Sequence, residues 1–174
     1  MRVATTIVLL AVLTGTAPAL AEWQDASETA AGGKKIAIQR TQPVKGAISK
    51  SGRDVSATLY LRCDNPFDNR VKYRSNDYWS AFVVFSEPVS SVEARTRYSF
   101  DGGAPAEGTF MFNPQGTAMF FTQQGDDSGF IEKLARASTL QITPALAWAG
   151  NPTITFDIAG AAAALEQIPC NKKF

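Results

Sequence analysis

The sequence contains no histidine, which removes the side chain most used for proton transfer near neutral pH, for Ser-His-Asp triads and for zinc ligation. It has little cysteine: only Cys63 and Cys170, too far apart to form a CxxC redox motif. Charge of one sign is also missing, since 17 basic and 16 acidic side chains leave a formal charge of +1. A nucleic-acid binder needs a concentrated basic surface to release counterions, so nucleic acid is not an expected partner. The glycine-bearing turns have neither a GxGxxG nor a GxxxxGK[ST] context, and no cofactor or metal site is assigned.

Long hydrophobic runs are absent beyond the N-terminal segment. Residues 1–21 open with Arg2, run apolar from Ala4 to Thr14 and end Ala19-Leu20-Ala21, the three regions of a secretory signal peptide. Thr14, Gly15, Thr16 and Pro18 interrupt the run, short of the roughly 20 apolar residues a membrane span needs. Cleavage after Ala21 removes only Arg2 among the ionisable side chains and leaves a charge-balanced chain in the periplasm, or outside the cell. In that oxidising compartment Cys63 and Cys170 are expected to form one disulfide. It would pin the C-terminal segment to an early strand. Two free thiols, one acting as a nucleophile, would lack a histidine to activate them.

After the signal, residues 22–35 are polar and small, and they read as a flexible N-terminal arm whose one anchoring residue is Trp23. Residues 36–174 read as a single β-rich domain. Val55, Ala57, Leu59 and Leu61 alternate with Ser56, Thr58, Tyr60 and Arg62, the two-residue period of a half-buried strand. A further strand is expected over 70–74, where Val71 and Tyr73 alternate with three cations. Ser80 to Phe85 is a nearly continuous apolar run suited to a strand buried on both sides. Val92 to Phe100 alternates again and stops at Asp101-Gly102-Gly103, which supplies the positive φ of a tight turn. Asn113-Pro114-Gln115-Gly116 joins Thr109–Phe112 to Ala118–Thr122 as a hairpin.

The period then changes. Phe130, Ile131, Leu134 and Ala135 share one helical face behind the capping oxygens of Asp126-Asp127-Ser128, predicting a helix near 129–137. Strand character returns over Leu140–Ala147 and Thr153–Ile158. Gly160 to Ile168 reads as a C-terminal helix that stops at Pro169 and is capped by Asp157. Roughly eight strands and two short helices predict an all-β fold, mainly an antiparallel sandwich or open barrel.

The chemistry is sparse. Asp126-Asp127 is the only adjacent acidic pair after the signal, and its place at a helix N-terminus favours capping over glycan hydrolysis. Asp64, Asp68 and Asp77 lack the alternating spacing and terminal glutamate of a calcium loop. The cations form the more informative pattern. Arg70, Lys72 and Arg74 share one strand face, Arg95 and Arg97 share another, and neighbouring strands would gather all five into a patch for an acidic protein or an anionic glycan. A solvated face balanced by acids such as Glu93 is the alternative. Phe82, Phe85, Phe110, Phe112, Phe120 and Phe121 read as core rather than as a ligand stack.

Several short motifs follow one another in a set order: Leu61-Arg62-Cys63, then Val92-x-x-Arg95-x-Arg97-x-x-Phe100-Asp101-Gly102-Gly103, then Phe130-Ile131-x-x-Leu134. The closing run Thr155-Phe156-Asp157-Ile158-x-Gly160-x-x-x-Ala164-Leu165-x-x-Ile168-x-Cys170 is the most specific of them. In this order they resemble the VasI/TagO-type family of exported proteins associated with type VI secretion. The resemblance implies a periplasmic, non-enzymatic domain beside an envelope machine and brings no catalytic residues. The expected function is that of an accessory or binding protein acting through contact with an envelope or periplasmic protein. An inhibitor or immunity protein of a peptidoglycan hydrolase is the alternative, inserting the loop 101–108 or 125–129. A carboxylate-based glycan hydrolase using acids such as Asp64, Asp77 or Asp101 comes third.

Overall fold

The computed structural model describes residues 22–29, 35–48, 51–64, 78–90, 93–121 and 128–170. The strands in chain order are β1 (Gln24–Asp25), β2 (Glu28–Thr29), β3 (Lys35–Ile36), β4 (Ile38–Arg40), β5 (Val44–Ile48), β6 (Asp54–Asp64), β7 (Tyr78–Phe85), β8 (Glu93–Phe100), β9 (Ala106–Phe112) and β10 (Ala118–Phe120). Helix α1 (Ser128–Arg136) follows, then β11 (Thr139–Pro144), β12 (Ile154–Asp157) and helix α2 (Ala161–Glu166). One antiparallel sheet runs β1-β4-β6-β7-β10-β9-β8-β11-β12, with β5 also paired to β6 beside β4; β2 and β3 form a separate ribbon. β5 and β12, from opposite ends of the sheet, lie close beside each other, so the sheet curls into a half-barrel. The open-barrel reading is the one the chain adopts. Among the described residues no helix is long and apolar enough to cross a membrane.

The alternation read from the sequence sorts the side chains. Val55, Ala57, Leu59 and Leu61 of β6 are fully buried on the concave face, where each large apolar side chain contributes about 1.5–3 kcal/mol. β7 adds Trp79, Ala81, Val83 and Phe85, and its other face is nearly closed as well, with Ser80 and Phe82 buried. Ile131 and Leu134 of α1 and Leu165 of α2 fill the concavity. Phe130 of α1 lies against Phe121 at 4.8 Å, Phe100 at 5.3 Å and Tyr98 at 5.5 Å between ring centroids. These aromatic contacts fix the helix to the sheet. Lys133 and Arg136 occupy the last turn of α1, where cations suit the helix dipole.

Several details differ from the sequence reading. Within the segment read as a loose arm, 22–35, Gln24–Asp25 joins the main sheet as β1 against β4 and the Ala26 N–H donates to the Ile38 carbonyl at 2.9 Å, while Glu28–Thr29 pairs with Lys35–Ile36 in the separate ribbon. The anchor is Trp23, as expected, whose indole Nε1 donates to the Ala159 carbonyl at 3.2 Å. Asp157 does not cap α2. Its Oδ1 accepts from the Ala159 N–H at 3.1 Å, closing an Asx turn upstream, and the N-cap is Gly160 at φ 82°. The strand expected over 70–74 and the cap at Asp126-Asp127 lie outside the described residues.

Cys63 at the end of β6 is bonded to Cys170 beyond α2, with the Cα atoms 5.6 Å apart and 107 positions between them in sequence. A loop of that length implies stabilisation of roughly 4–5 kcal/mol in the chain-entropy model. The β9–β10 hairpin turns on Asn113, whose Oδ1 accepts from the N–H groups of Thr117 (2.8 Å) and Ala118 (3.0 Å). Gly116 in this turn has φ 71°, and a Cβ there would stand 1.8 Å from the Ser90 carbonyl oxygen. Only glycine fits.

Reduction, or the double substitution Cys63→Ser with Cys170→Ser, is expected to lower the unfolding free energy by about 2–5 kcal/mol. A denaturant titration with and without reductant measures it; superimposed curves would contradict the linkage. Gly116→Ala is expected to cost at least about 2 kcal/mol, from the backbone conformation and the collision together. An unchanged unfolding midpoint would contradict it.

Candidate functional site

Chemistry-bearing side chains gather on the outer, convex face of the sheet. Strand register places Arg40, Tyr60, Phe82, Phe120, Met111 and Glu93 opposite one another across β4, β6, β7, β10, β9 and β8. With strands about 4.8 Å apart the row spans roughly 24 Å. Tyr60 stacks on Phe82 at 5.2 Å and Phe82 on Phe120 at 5.4 Å between centroids. The Arg62 guanidinium lies 4.9 Å from the centre of the Phe82 ring, a cation–π contact of about 0.5–2 kcal/mol depending on its desolvation. Phe82 is buried, whereas Met111 is 51% exposed, so the apolar row opens to solvent toward β9.

This divides the six phenylalanines expected in one core. Phe85, Phe110, Phe112 and Phe121 belong to the concave cluster; Phe82 and Phe120 do not. The strand period sends Phe82 and Phe120 to the face opposite Val83 and Met119.

Arg95 and Arg97 stand beside the open end of this row, on the outward positions of β8. Both are exposed, and their acid is Glu107 on β9 rather than Glu93. Arg95 Nη2 lies 2.6 Å and its Nε 3.1 Å from Glu107 Oε2, while Arg97 Nε lies 4.0 Å from Oε1. Side-chain exposures of 77%, 63% and 46% for Arg95, Arg97 and Glu107 mark pairs that add no more than about 1 kcal/mol to stability. Their effect is to hold two cations in place on an exposed surface. Arg70, Lys72 and Arg74 lie outside the described residues, so the patch among the described residues consists of Arg95, Arg97, Glu107, Glu93 and Met111. Methionine and arginine are enriched at protein interfaces.

The sequence reading does not single out Met111 or Glu107. Met111 carries a signal, as an outward residue of the Thr109–Phe112 alternation. Glu107 does not: counting from the Asp101-Gly102 turn closed by Phe100 and Gly103 would set Arg97 opposite Ala106, whereas the observed partner is Glu107, one residue further.

Asp101, named among the acids of the hydrolase reading, is held in a structural role. It has φ 50° in the β8–β9 turn, and its Oδ1 accepts from the N–H groups of Ser138 and Thr139, both at 2.8 Å. This ties the hairpin tip to the junction of α1 and β11. Asp64 ends β6 and Asp77 lies outside the described residues. Of the two loops offered for insertion into an enzyme, 101–108 is an exposed turn only to Pro105 and becomes β9 from Ala106, and Ser128-Gly129 of the second begin α1.

Donation from the backbone of Thr139 and then of Ser138 holds the Asp101 carboxyl below its ordinary value, with a smaller contribution from the Thr139 hydroxyl and against a small opposing effect of burial. A depressed folded-state pKa gives stability that is present above the unfolded value, near 3.9, and lost as pH falls through the folded value. Asp101→Asn keeps an acceptor but removes the charge. Its unfolding midpoint is expected to fall less between pH 5 and pH 2 than that of the wild type; parallel pH profiles would contradict the latch.

No protein-family model and no curated protein matches the sequence. Among solved structures, the chain is similar to invasion associated protein b from Bartonella henselae, with a TM-score of 0.51 and 16% sequence identity over 85% of this chain and 92% of that one. At that identity the likeness is one of fold.

Proposed function

We propose that this is an exported accessory protein of the bacterial envelope that acts by protein contact, through the outer face of β8 and β9 with the adjoining residues of β10. The observation that carries the reading is the juxtaposition of half-exposed Met111 with Arg95, Arg97 and Glu107. An apolar contact point and pre-oriented charges together fit recognition of another protein better than they fit stabilisation of this one. The N-terminal signal pattern and the Cys63–Cys170 bond support export. The resemblance of its short motifs to those of VasI/TagO-type proteins is the basis for a place beside a secretion machine, and the likeness in fold to an invasion associated protein is compatible with work at the cell boundary. The chain is proposed to have no enzymatic activity of its own.

In cells making a tagged protein, crosslinking in the periplasm is expected to recover a defined envelope protein. Arg95→Glu with Arg97→Glu is expected to reduce that recovery at least about tenfold, with the melting temperature unchanged. Undiminished recovery would overturn the assignment of the surface. Clearing of cell-wall sacculi by the purified protein would overturn the non-enzymatic reading.

A further inference from the structure

Trp148 is one of two large apolar side chains among the described residues that remain conspicuously exposed, at 37%. It stands on the 145–150 turn after β11, and that turn is braced. The Leu146 N–H donates to the Gly150 carbonyl at 2.7 Å, with Gly150 at φ 66°. The Trp148 N–H donates to the Val89 carbonyl at 3.3 Å, and the Ala147 N–H to Ser90 Oγ at 3.4 Å. Val89 and Ser90 are buried and fixed in turn, because the Val89 N–H donates to the Gly116 carbonyl at 3.0 Å and Gly116 closes against Ser90. Three connections at one end of the half-barrel thus fix the backbone of the turn that carries Trp148.

The surroundings of that indole are distinctive in sequence. No charged residue occurs from Ala137 to Phe156, and the turn itself, Ala-Leu-Ala-Trp-Ala-Gly, has no polar side chain other than the indole N–H. The turn also begins at the ion-paired surface: the Ala145 N–H donates to the Arg95 carbonyl at 2.9 Å.

We infer that Trp148 is an anchor that enters an apolar, uncharged pocket on the partner protein, while Arg95 and Arg97 set the orientation of the same contact. This rests on the protein-contact reading above. A turn whose backbone is already braced loses little freedom on binding, and tryptophan leads the residues that dominate protein interfaces. A bilayer fits less well. One indole with three alanine methyl groups hides less apolar surface than a single acyl chain, which by itself binds membranes only marginally. A glycan fits less well too, since sugar recognition needs several converging hydrogen-bonding side chains and the turn offers only the indole N–H.

The test places the photoreactive residue p-benzoylphenylalanine at position 148, at 95 and, as a control at the opposite end of the half-barrel, at exposed Gln167, in purified full-length protein mixed with an envelope extract. The expected result is one discrete adduct of the same mass from positions 148 and 95 and none from 167. Unlabelled wild-type protein should compete the adduct at 148 away, and Trp148→Ala should need about tenfold more protein to do so at an unchanged melting temperature, with Trp148→Phe between them. An adduct from 95 alone, or equal competition by Trp148→Ala, overturns the anchor and leaves the outer-face reading standing. An adduct from 148 alone sustains the anchor and overturns the outer-face reading. Adducts from neither position, with the protein instead sedimenting on phosphatidylethanolamine–phosphatidylglycerol vesicles or on sacculi, overturn both.

Discussion

The antiparallel pairing of β6 with β7 is the constraint on which the rest of the structure depends. Its register runs unbroken from Ala57 opposite Phe85 to Asp64 opposite Tyr78. A slip of one residue would exchange the buried set Ala57, Leu59 and Leu61 for Thr58, Tyr60 and Arg62, so the burial of one face fixes the pairing. That pairing then positions everything around it. It sets Cys63 opposite Trp79, at the end where Cys170 arrives from α2, and it sets Tyr60 beside Phe82 on the far face. β10 and then β9 continue the same register on one side, β4 and β5 on the other.

The two faces of this sheet carry different burdens. The concave face is closed by helices and by a continuous set of apolar contacts that includes Phe110, Phe121 and Phe130. The convex face carries the stacked rings of Tyr60, Phe82 and Phe120, of which Phe82 is itself buried, and on β8 and β9 exposed ion pairs worth about 1 kcal/mol or less. Such ion pairs order a surface without being needed to hold it. At one end the half-barrel is sealed by α1, α2 and the disulfide. At the other, the 86–90, 113–117 and 145–150 connections brace one another through Gly116, Ser90 and Val89.

Much of this is legible in the sequence, because a two-residue period and turn chemistry are local signals. The inward residues of β6, the outward arginines of β8, the hairpin at Asn113–Gly116 and the apolar face of α1 are all readable as patterns. The Glu107 partner is not readable from the Asp-Gly turn, because the observed register is one residue off the one that a two-residue turn at Asp101-Gly102 would set. What local patterns do not carry is the insertion of β10 between β7 and β9, which brings Phe120 to Phe82 from a strand that is not its neighbour in sequence. The same holds for Trp23. Nothing near residue 23 announces a carbonyl acceptor at Ala159, and a short polar segment reads as loose until the rest of the fold supplies its partner. Asp157 departs from its expected capping role for a related reason: its side chain closes a local turn before the helix and so cannot also cap it.

The central claim is that alternate residues of β8 and β9 divide between scaffold and contact surface, and unfolding midpoints across that alternation test it most directly. Phe110→Ala and Phe112→Ala, on the concave face, are predicted to lose roughly 3–5 kcal/mol. Met111→Ala, Arg95→Ala and Arg97→Ala, on the convex face, are predicted to stay within about 0.5 kcal/mol of wild type. Losses at Met111, Arg95 or Arg97 as large as those at Phe110 would mean that the outer face holds the fold together, and would contradict the account.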